Sequence, residues 1–171
     1  NCGIAEANMM SMSAGLALCG LRPVPYTIVP FITTRCFEQI RVDVCYHRLP
    51  VTIVGVGGGF SYASLNATHH SCEEIAIMRA LPNMTVVAPG DAKEAEALAK
   101  ISASHKGPLY IRFGRDSDPV IDEKDIKFEI GKGITVKEGK NICLLAAGNM
   151  LYRAKLVCEI LEKEGLNPTL I

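Results

Sequence analysis

The chain has 171 residues, with 18 Lys+Arg against 18 Asp+Glu, 49% apolar residues, 15 Gly and 9 Pro. At roughly 100–200 residues per domain, that is one folded domain with room for part of a second. Zero formal charge with both signs interspersed gives no broad positive field for a phosphate backbone, so nucleic acid is not the expected partner. No run approaches the roughly 18 consecutive apolar residues of a membrane span, and no basic-then-apolar leader opens the sequence. A soluble, cytoplasmic chain with no membrane partner is expected.

In chain order, the small and apolar residues from Ala7 to Leu18 predict a helix buried on most sides, with Glu6 at its head. Arg22-Pro23-Val24-Pro25 breaks it, and Tyr26 to Pro30 reads as a short strand. Phe37, Ile40, Arg41 and Val44 make one stripe of an amphipathic helix over about 35–47. Pro50 to Val56 is the β-branched apolar run of a strand buried on both faces of a parallel sheet. A glycine-rich loop covers Gly57 to His70. Ser71-Cys72-Glu73-Glu74 has the spacing of a capping box, opening a helix to about Leu81. Met84 to Ala88 is a strand, Asp91-Ala92-Lys93-Glu94 a second capping box, and Leu109 to Phe113 the next strand. Residues 114–140 loosen into charged, Pro- and Gly-containing sequence with two short strands at most. Ile142 to Ala147 is again a buried strand, Asn149 a helix N-cap, and Leu151, Ala154, Val157, Cys158 and Leu161 a helix stripe ending at Gly165. A further strand begins near Pro168.

Alternating strands and helices predict an α/β fold, a parallel sheet flanked by helices with right-handed crossovers, followed by the first β-α unit of a second α/β domain. The expected boundaries are a domain over 1–115, a connector over 116–140, and a truncated second domain over 141–171. The seven cysteines include no C-x-x-C pair. They read as reduced thiols rather than as a disulfide framework or a zinc ribbon.

Ligands of such sheets sit at the strand C-terminal ends, which directs attention to Pro30–Thr34, Gly57–His70 and Gly114–Pro119. Glu6 is the only acidic residue among the first 37. It is either a helix-start carboxylate or a desolvated carboxyl, with raised pKa, that hydrogen-bonds a ligand nitrogen. Phe31 is either core or a stacking platform for a flat heterocycle. Gly57-Gly58-Gly59 is a flexible turn or a phosphate cradle, though it lacks P-loop spacing. The adjacent His69 and His70 cannot share a helix face as metal ligands do, and no metal site is expected. Proton transfer or polar contact with a substrate suits them better. Arg112 and Arg115 either bind a phosphate or carboxylate or pair with Asp116 or Asp118.

Five segments in order, G-I-A-E-A-N, P-F-I-T-T-R-C-F-E-Q-I-R, T-H-H before a helix, M-R-A-L-P-N-M-T-V-V-A-P-G-D and G-P-L-Y-I-R-F-G-R, span Gly3 to Arg115. Together they resemble the pyrimidine-binding domain of the transketolase family, which includes deoxyxylulose-phosphate synthase. The stretch after Asn141 resembles the start of the family's C-terminal domain. The resemblance implies the thiamine-diphosphate-binding fold of pyrimidine type and thiamine diphosphate as cofactor. It implies Glu6 as the catalytic glutamate that holds a proton on the aminopyrimidine ring nitrogen. Phe31 and Arg35 match cofactor-binding positions, His69 a catalytic and substrate-contacting histidine, and Arg115 an arginine for the sugar phosphate. Where the family commonly has Asp-Gly before the histidine, this chain has Leu65 and Asn66. An upstream His or Arg is replaced by Gly57 or Gly58.

The family's diphosphate- and Mg2+-binding motif does not occur in this sequence. The resemblance therefore implies a partner diphosphate-binding domain or subunit that holds Mg2+, in a homodimer or heterotetramer. The first β-α unit of the domain is expected to precede Asn1. The implied activity is transfer of a two-carbon ketol unit between phosphorylated sugars. The alternatives are a deoxyxylulose-phosphate synthase, a 2-oxoacid dehydrogenase beta subunit, or a non-catalytic assembly module that kept the fold.

Overall fold

A four-stranded, all-parallel sheet in the order β1-β2-β4-β3 organises the first part of the chain in the computed structural model, which describes residues 1–115, 119–121 and 128–171. The helix α1 (Glu6–Leu18) comes first, then β1 (Tyr26–Ile28). Two short helices, α2 (Val29–Ile32) and α3 (Phe37–Gln39), run into a π-helix at Ile40–Tyr46. The central strand β2 (Thr52–Val56) is followed by a 3-10 helix at Ala63–Thr68, α4 (Glu74–Ala80) and β3 (Thr85–Val87). Then come α5 (Ala92–Ser102) and β4 (Leu109–Phe113).

β2 lies inside the sheet, between β1 and β4, and is buried from Thr52 to Gly55, with Ile53 and Val54 apolar on its two faces. Its register matters most for function. Ile28 lies opposite Val56, and Val56 opposite Phe113. The C-terminal ends of β1, β2 and β4 are therefore level, and the segments that begin at Val29, Gly57 and Gly114 leave the sheet at one edge. Met10, Ile32, Ile40, Val44, Val51, Ile53, Met78 and Tyr110 pack into one core.

By compactness the chain forms two units, residues 1–87 with 100–116, and residues 88–99 with 117–171. In the second unit β5 (Ile142–Leu144) and β6 (Pro168–Leu170) pair in parallel around α6 (Met150–Lys163), with Leu151, Cys158 and Leu170 at the core. Residues 88–99 are grouped by compactness with this second unit. Part of the expected connector lies outside the described residues, as do Asp116 and Asp118, the alternative partners for Arg115.

Several local expectations change. α1 buries the i, i+3, i+4, i+7 stripe Met10, Ser13, Ala14 and Ala17, whereas Met12, Leu16 and Leu18 are exposed, so it is covered on one face only. The strand expected over 26–30 ends at Ile28, because Pro30 sits in the first turn of α2, where its missing N–H costs no helical bond. The helix expected over 35–47 is largely π-helical. Only Cys36, Cys45 and Cys158 of the seven free thiols are buried. No helix of the described residues is long and apolar enough to cross a membrane.

Candidate active site

Glu6 opens α1 within its first turn and is buried. Arg35 Nη1 donates to its Oε2 at 2.8 Å. This hydrogen bond holds the Glu6 carboxyl below the usual carboxylate range, against the opposing effect of burial. The alternative of a raised carboxyl pKa is thereby corrected: a guanidinium reaching from 29 residues away outweighs desolvation.

Phe31 and Arg35 are positioned by the turn after β1. Thr33 Oγ1 donates to the Val29 carbonyl and Thr34 Oγ1 to the Pro30 carbonyl, both at 2.7 Å, while Cys36 Sγ donates to the Phe31 carbonyl at 3.2 Å. These bonds fasten the chain through the turn. The Arg35 guanidinium then lies 4.2 Å from the centroid of the Phe31 ring. Phe31 is half-buried rather than core.

The opposite end of the site comes from the loop after β2. Gly57 and Gly58 donate their N–H groups to the Phe113 carbonyl, at 2.9 and 3.2 Å, and Gly59 N–H donates to the Ser71 carbonyl at 2.7 Å. All three amides are engaged, so the triglycine is not a phosphate cradle. Its glycines instead make room for side chains. A Cβ on Gly57 would fall 2.0 Å from Tyr62 Cε2, and one on Gly58 would fall 2.2 Å from Arg112 Nε. Arg112 Nε donates to the buried Glu74 at 2.5 Å, and Ser71 Oγ donates to the other Glu74 oxygen at 3.1 Å. Arg112 is therefore a support beneath the loop rather than an anion ligand.

Within the loop, Asn66 has φ 60° and ψ −164°, a conformation that is nearly glycine-only. The backbone keeps the shape a glycine would take there. His69 and His70 N–H both donate to the Asn66 carbonyl, at 2.9 and 3.2 Å, which brings the histidines back toward the sheet edge. The His69 ring meets Phe31 edge-on at 5.2 Å between centroids. Its Nδ1 lies 2.9 Å from Thr68 Oγ1, which also approaches the Leu65 carbonyl at 3.3 Å. The Thr68 hydroxyl is thus the hydrogen-bond partner of the His69 ring. His70 packs edge-on against Phe60 at 5.0 Å.

Tyr62, which sequence reasoning passed over, completes the arrangement. Its ring is 6.1 Å from His69 and lies 5.2 Å below the guanidinium carbon of Arg115. Glu6, Arg35, Phe31, His69, Tyr62 and Arg115 thus form one continuous row of contacts. The signal that could have found Tyr62 was the pair of adjacent glycines in place of side chains, with an aromatic five residues on. A cavity of about 680 Å³ lined by Phe37, Tyr46 and Leu81, among others, contains none of the row.

A family model described as "Transketolase, pyrimidine binding domain" matches residues 1–119. The chain belongs to the transketolase family. It is 37% identical to an apulose-4-phosphate transketolase subunit of Phocaeicola vulgatus, over 96% of this chain and 53% of that protein. It is 36% identical to the 1-deoxy-D-xylulose-5-phosphate synthase of Dictyoglomus turgidum, over 99% of this chain and 27% of that protein. Among solved structures, "Split gene transketolase, inactive beta4 tetramer" superimposes with a TM-score of 0.88 at 39% identity, over 98% of this chain and 54% of that one. This transketolase-family chain therefore spans about half the length of the two transketolase relatives.

Family membership implies use of thiamine diphosphate. The row fits the pyrimidine end of that cofactor on one geometric ground: a planar N–H donor can lie on Phe31 and reach the Glu6 carboxylate at once, as the Arg35 guanidinium does. Among the described residues no group of three or more His, Cys, Asp and Glu is placed to hold a metal ion.

Proposed function

We propose that this chain supplies the pyrimidine-binding half of a thiamine-diphosphate-dependent transketolase-type site, acting in transfer of a two-carbon ketol unit from a ketose to an aldose, at least one of them phosphorylated. The observation that carries this reading is the unbroken row from Glu6 to Arg115, which sets a carboxylate, an aromatic face, an imidazole and a guanidinium along one sheet edge. The cofactor, when bound, would supply a nucleophilic carbon and an electron sink for cleavage beside a carbonyl.

The residues of this chain do the rest. Glu6, its carboxyl held below the usual carboxylate range by Arg35, accepts a hydrogen bond from a protonated ring nitrogen and keeps the proton there. Phe31 gives the ring a flat apolar surface, and Arg35 flanks it. His69 takes a proton from a substrate hydroxyl or holds it in place. Arg115, exposed at the end of the row, binds the phosphate. The diphosphate group and Mg2+ fall to a companion domain, on a separate subunit or elsewhere on one chain. The solved relative described as an inactive tetramer supports the expectation that this half is inactive without it. Residues 1–115 are the pyrimidine-binding domain in this reading, 116–140 the connector, and 141–171 the start of the C-terminal domain. A cytoplasmic location suits phosphorylated substrates.

The test uses the full-length protein with its candidate diphosphate-binding partner. Thiamine diphosphate binding is measured by calorimetry and ketol transfer by product formation, with a 2-oxoacid donor run in parallel. Glu6→Ala should lower turnover by about 10²–10⁴-fold. Cofactor binding with unchanged turnover in that variant would remove Glu6 from the chemistry, and turnover with the 2-oxoacid alone would reassign the donor.

A further inference from the structure

The loop after β2 is built around one side chain that the functional reading leaves without a task. Tyr62 fills the volume that a side chain at position 57 would need, and Gly57 adopts φ +81°, a conformation that L side chains rarely take. On the next residue, Gly58, the same exclusion is imposed by Arg112, itself fixed by Glu74. Gly57 and Gly58 thus run between the Tyr62 ring and a clamped guanidinium. The neck of the loop is closed by a pair of backbone bonds, Gly59 N–H to the Ser71 carbonyl at 2.7 Å and Ser71 N–H to the Gly59 carbonyl at 3.0 Å. The Tyr62 ring packs directly over the Gly57 backbone, in the space a side chain there would take.

Its two ring partners are both members of the candidate site. His69 meets the ring at 67° and 6.1 Å, and the Arg115 guanidinium carbon stands 5.2 Å from the ring centre, within cation–π range. We propose that Tyr62 is a positioning residue that acts through Arg115: its ring holds the guanidinium at a fixed distance from His69, and so selects substrates whose phosphate monoester lies at a set reach from the hydroxyl His69 contacts. The proposal rests on the functional reading for the substrate class, a short polyol phosphate.

Arg115 is exposed, and without the ring its long side chain would sample many rotamers. Freezing it against an aromatic face lowers the entropic cost of capturing an anion. An exposed cation–π contact of ordinary strength corresponds to about a 2- to 5-fold effect on binding. The effect belongs in the Michaelis constant for phosphorylated substrates and not in kcat.

The experiment uses the full-length protein assembled with its diphosphate-binding partner, with ribose 5-phosphate and ribose as paired acceptors. Tyr62→Leu should raise KM for ribose 5-phosphate about 2- to 5-fold more than it raises KM for ribose. Tyr62→Phe, which keeps the ring, should behave as the parent. Arg115→Ala should raise KM further, and Tyr62→Leu on that background should add nothing. Equal effects on both acceptors, a loss confined to kcat, additivity with Arg115→Ala, or a defect in Tyr62→Phe equal to that in Tyr62→Leu would each overturn the proposal. If Tyr62→Leu does not fold, Tyr62→Gln carries the same comparison. Calorimetric titration of the assembly with ribose 5-phosphate, without turnover, separates the two readings. Binding weakened by Tyr62→Leu in an assembly that transfers no ketol unit would sink the functional reading and keep this one. Ketol transfer with titrations identical between Tyr62→Leu and parent would do the reverse, and no binding of ribose 5-phosphate by the parent would overturn this proposal.

Discussion

Arg112→Met tests what holds the β2 loop in place. Glu74 is 1% exposed at its side chain and Arg112 13%. The carboxylate has two partners, Arg112 Nε on one oxygen and the Ser71 hydroxyl on the other. Removing the guanidinium leaves a buried carboxylate with a single neutral donor. Breaking one side of a buried pair costs about 3–5 kcal/mol, whereas replacing both partners by apolar groups of similar volume is often neutral. Arg112→Met should therefore be strongly destabilising, and Glu74→Met combined with Arg112→Met should recover most of the loss. At about 2–4 °C per kcal/mol for a chain of this size, the single variant should lose roughly 6–20 °C in melting temperature.

Because the chain forms two compact units, one melting temperature does not isolate the first, and the unfolding need not be two-state. Native-state hydrogen exchange of the β2 and β4 amides, at Ile53, Val54 and Ile111, reports on the sheet that carries Arg112. Their protection should fall in Arg112→Met and return in the double variant. A cost below about 1 kcal/mol, or a double variant as unstable as the single, would refute the reasoning, since either would mean the pair is solvated or compensated.

Asn66→Gly should stabilise the chain. A non-glycine residue at φ 60°, ψ −164° carries strain of order 1–3 kcal/mol, against which glycine adds roughly 0.4–1 kcal/mol of unfolded-state entropy. A gain of about 1 kcal/mol by urea titration is expected, and an unchanged midpoint would mean that the asparagine side chain offsets its own strain. The buried thiols give a pH prediction. Burial pushes both Cys36 and Cys45 up from 9.0 to about 11, with the Glu6 charge adding to the rise at Cys36. At pH 8 iodoacetamide should label Cys19, Cys72 and Cys143 while Cys36 and Cys45 resist, read by peptide mass spectrometry. The folded chain holds these two protons more tightly than the unfolded one. Their contribution to stability is thus complete below pH 9 and lost as pH rises through about 11. Early labelling of Cys36 in the native chain would contradict its burial.

Elements were legible where short-range pattern decides them. The apolar run at 50–56 and the strand read at 109–113 became β2 and β4 because a strand buried in a parallel sheet needs little more than consecutive β-formers. The residues of the candidate site could be named because they lie in ordered motifs, and parallel register then levels the three strand ends from which their loops emerge. What stayed hidden depends on partners distant in sequence. Glu6 meets Arg35 across 29 residues and Glu74 meets Arg112 across 38. No helical or strand period reports such pairs, and the first of them reverses the pKa direction that burial alone suggests at Glu6.

The two capping-box signatures show how this happens. Asp91-x-x-Glu94 caps α5 in a form shifted by one residue: Asp91 Oδ1 accepts the Glu94 N–H at 2.9 Å, and Glu94 Oε2 accepts the N–H of Gly90, just before the cap, at 2.8 Å. Ser71-x-x-Glu74 has the same spacing, yet α4 begins only at Glu74 and has no side-chain cap. Glu73 accepts from the Cys72 N–H instead, at 3.0 Å. The difference lies in Arg112. A guanidinium beneath the loop takes one Glu74 oxygen, the Ser71 hydroxyl turns to the other, and the Ser71 backbone is left to close the loop against Gly59. A local cap is worth about 1 kcal/mol, less than a buried charge pair loses when one member goes unpaired, so the tertiary arrangement wins. The same exchange that denies α4 its cap anchors the neck of the loop that presents Tyr62 and His69.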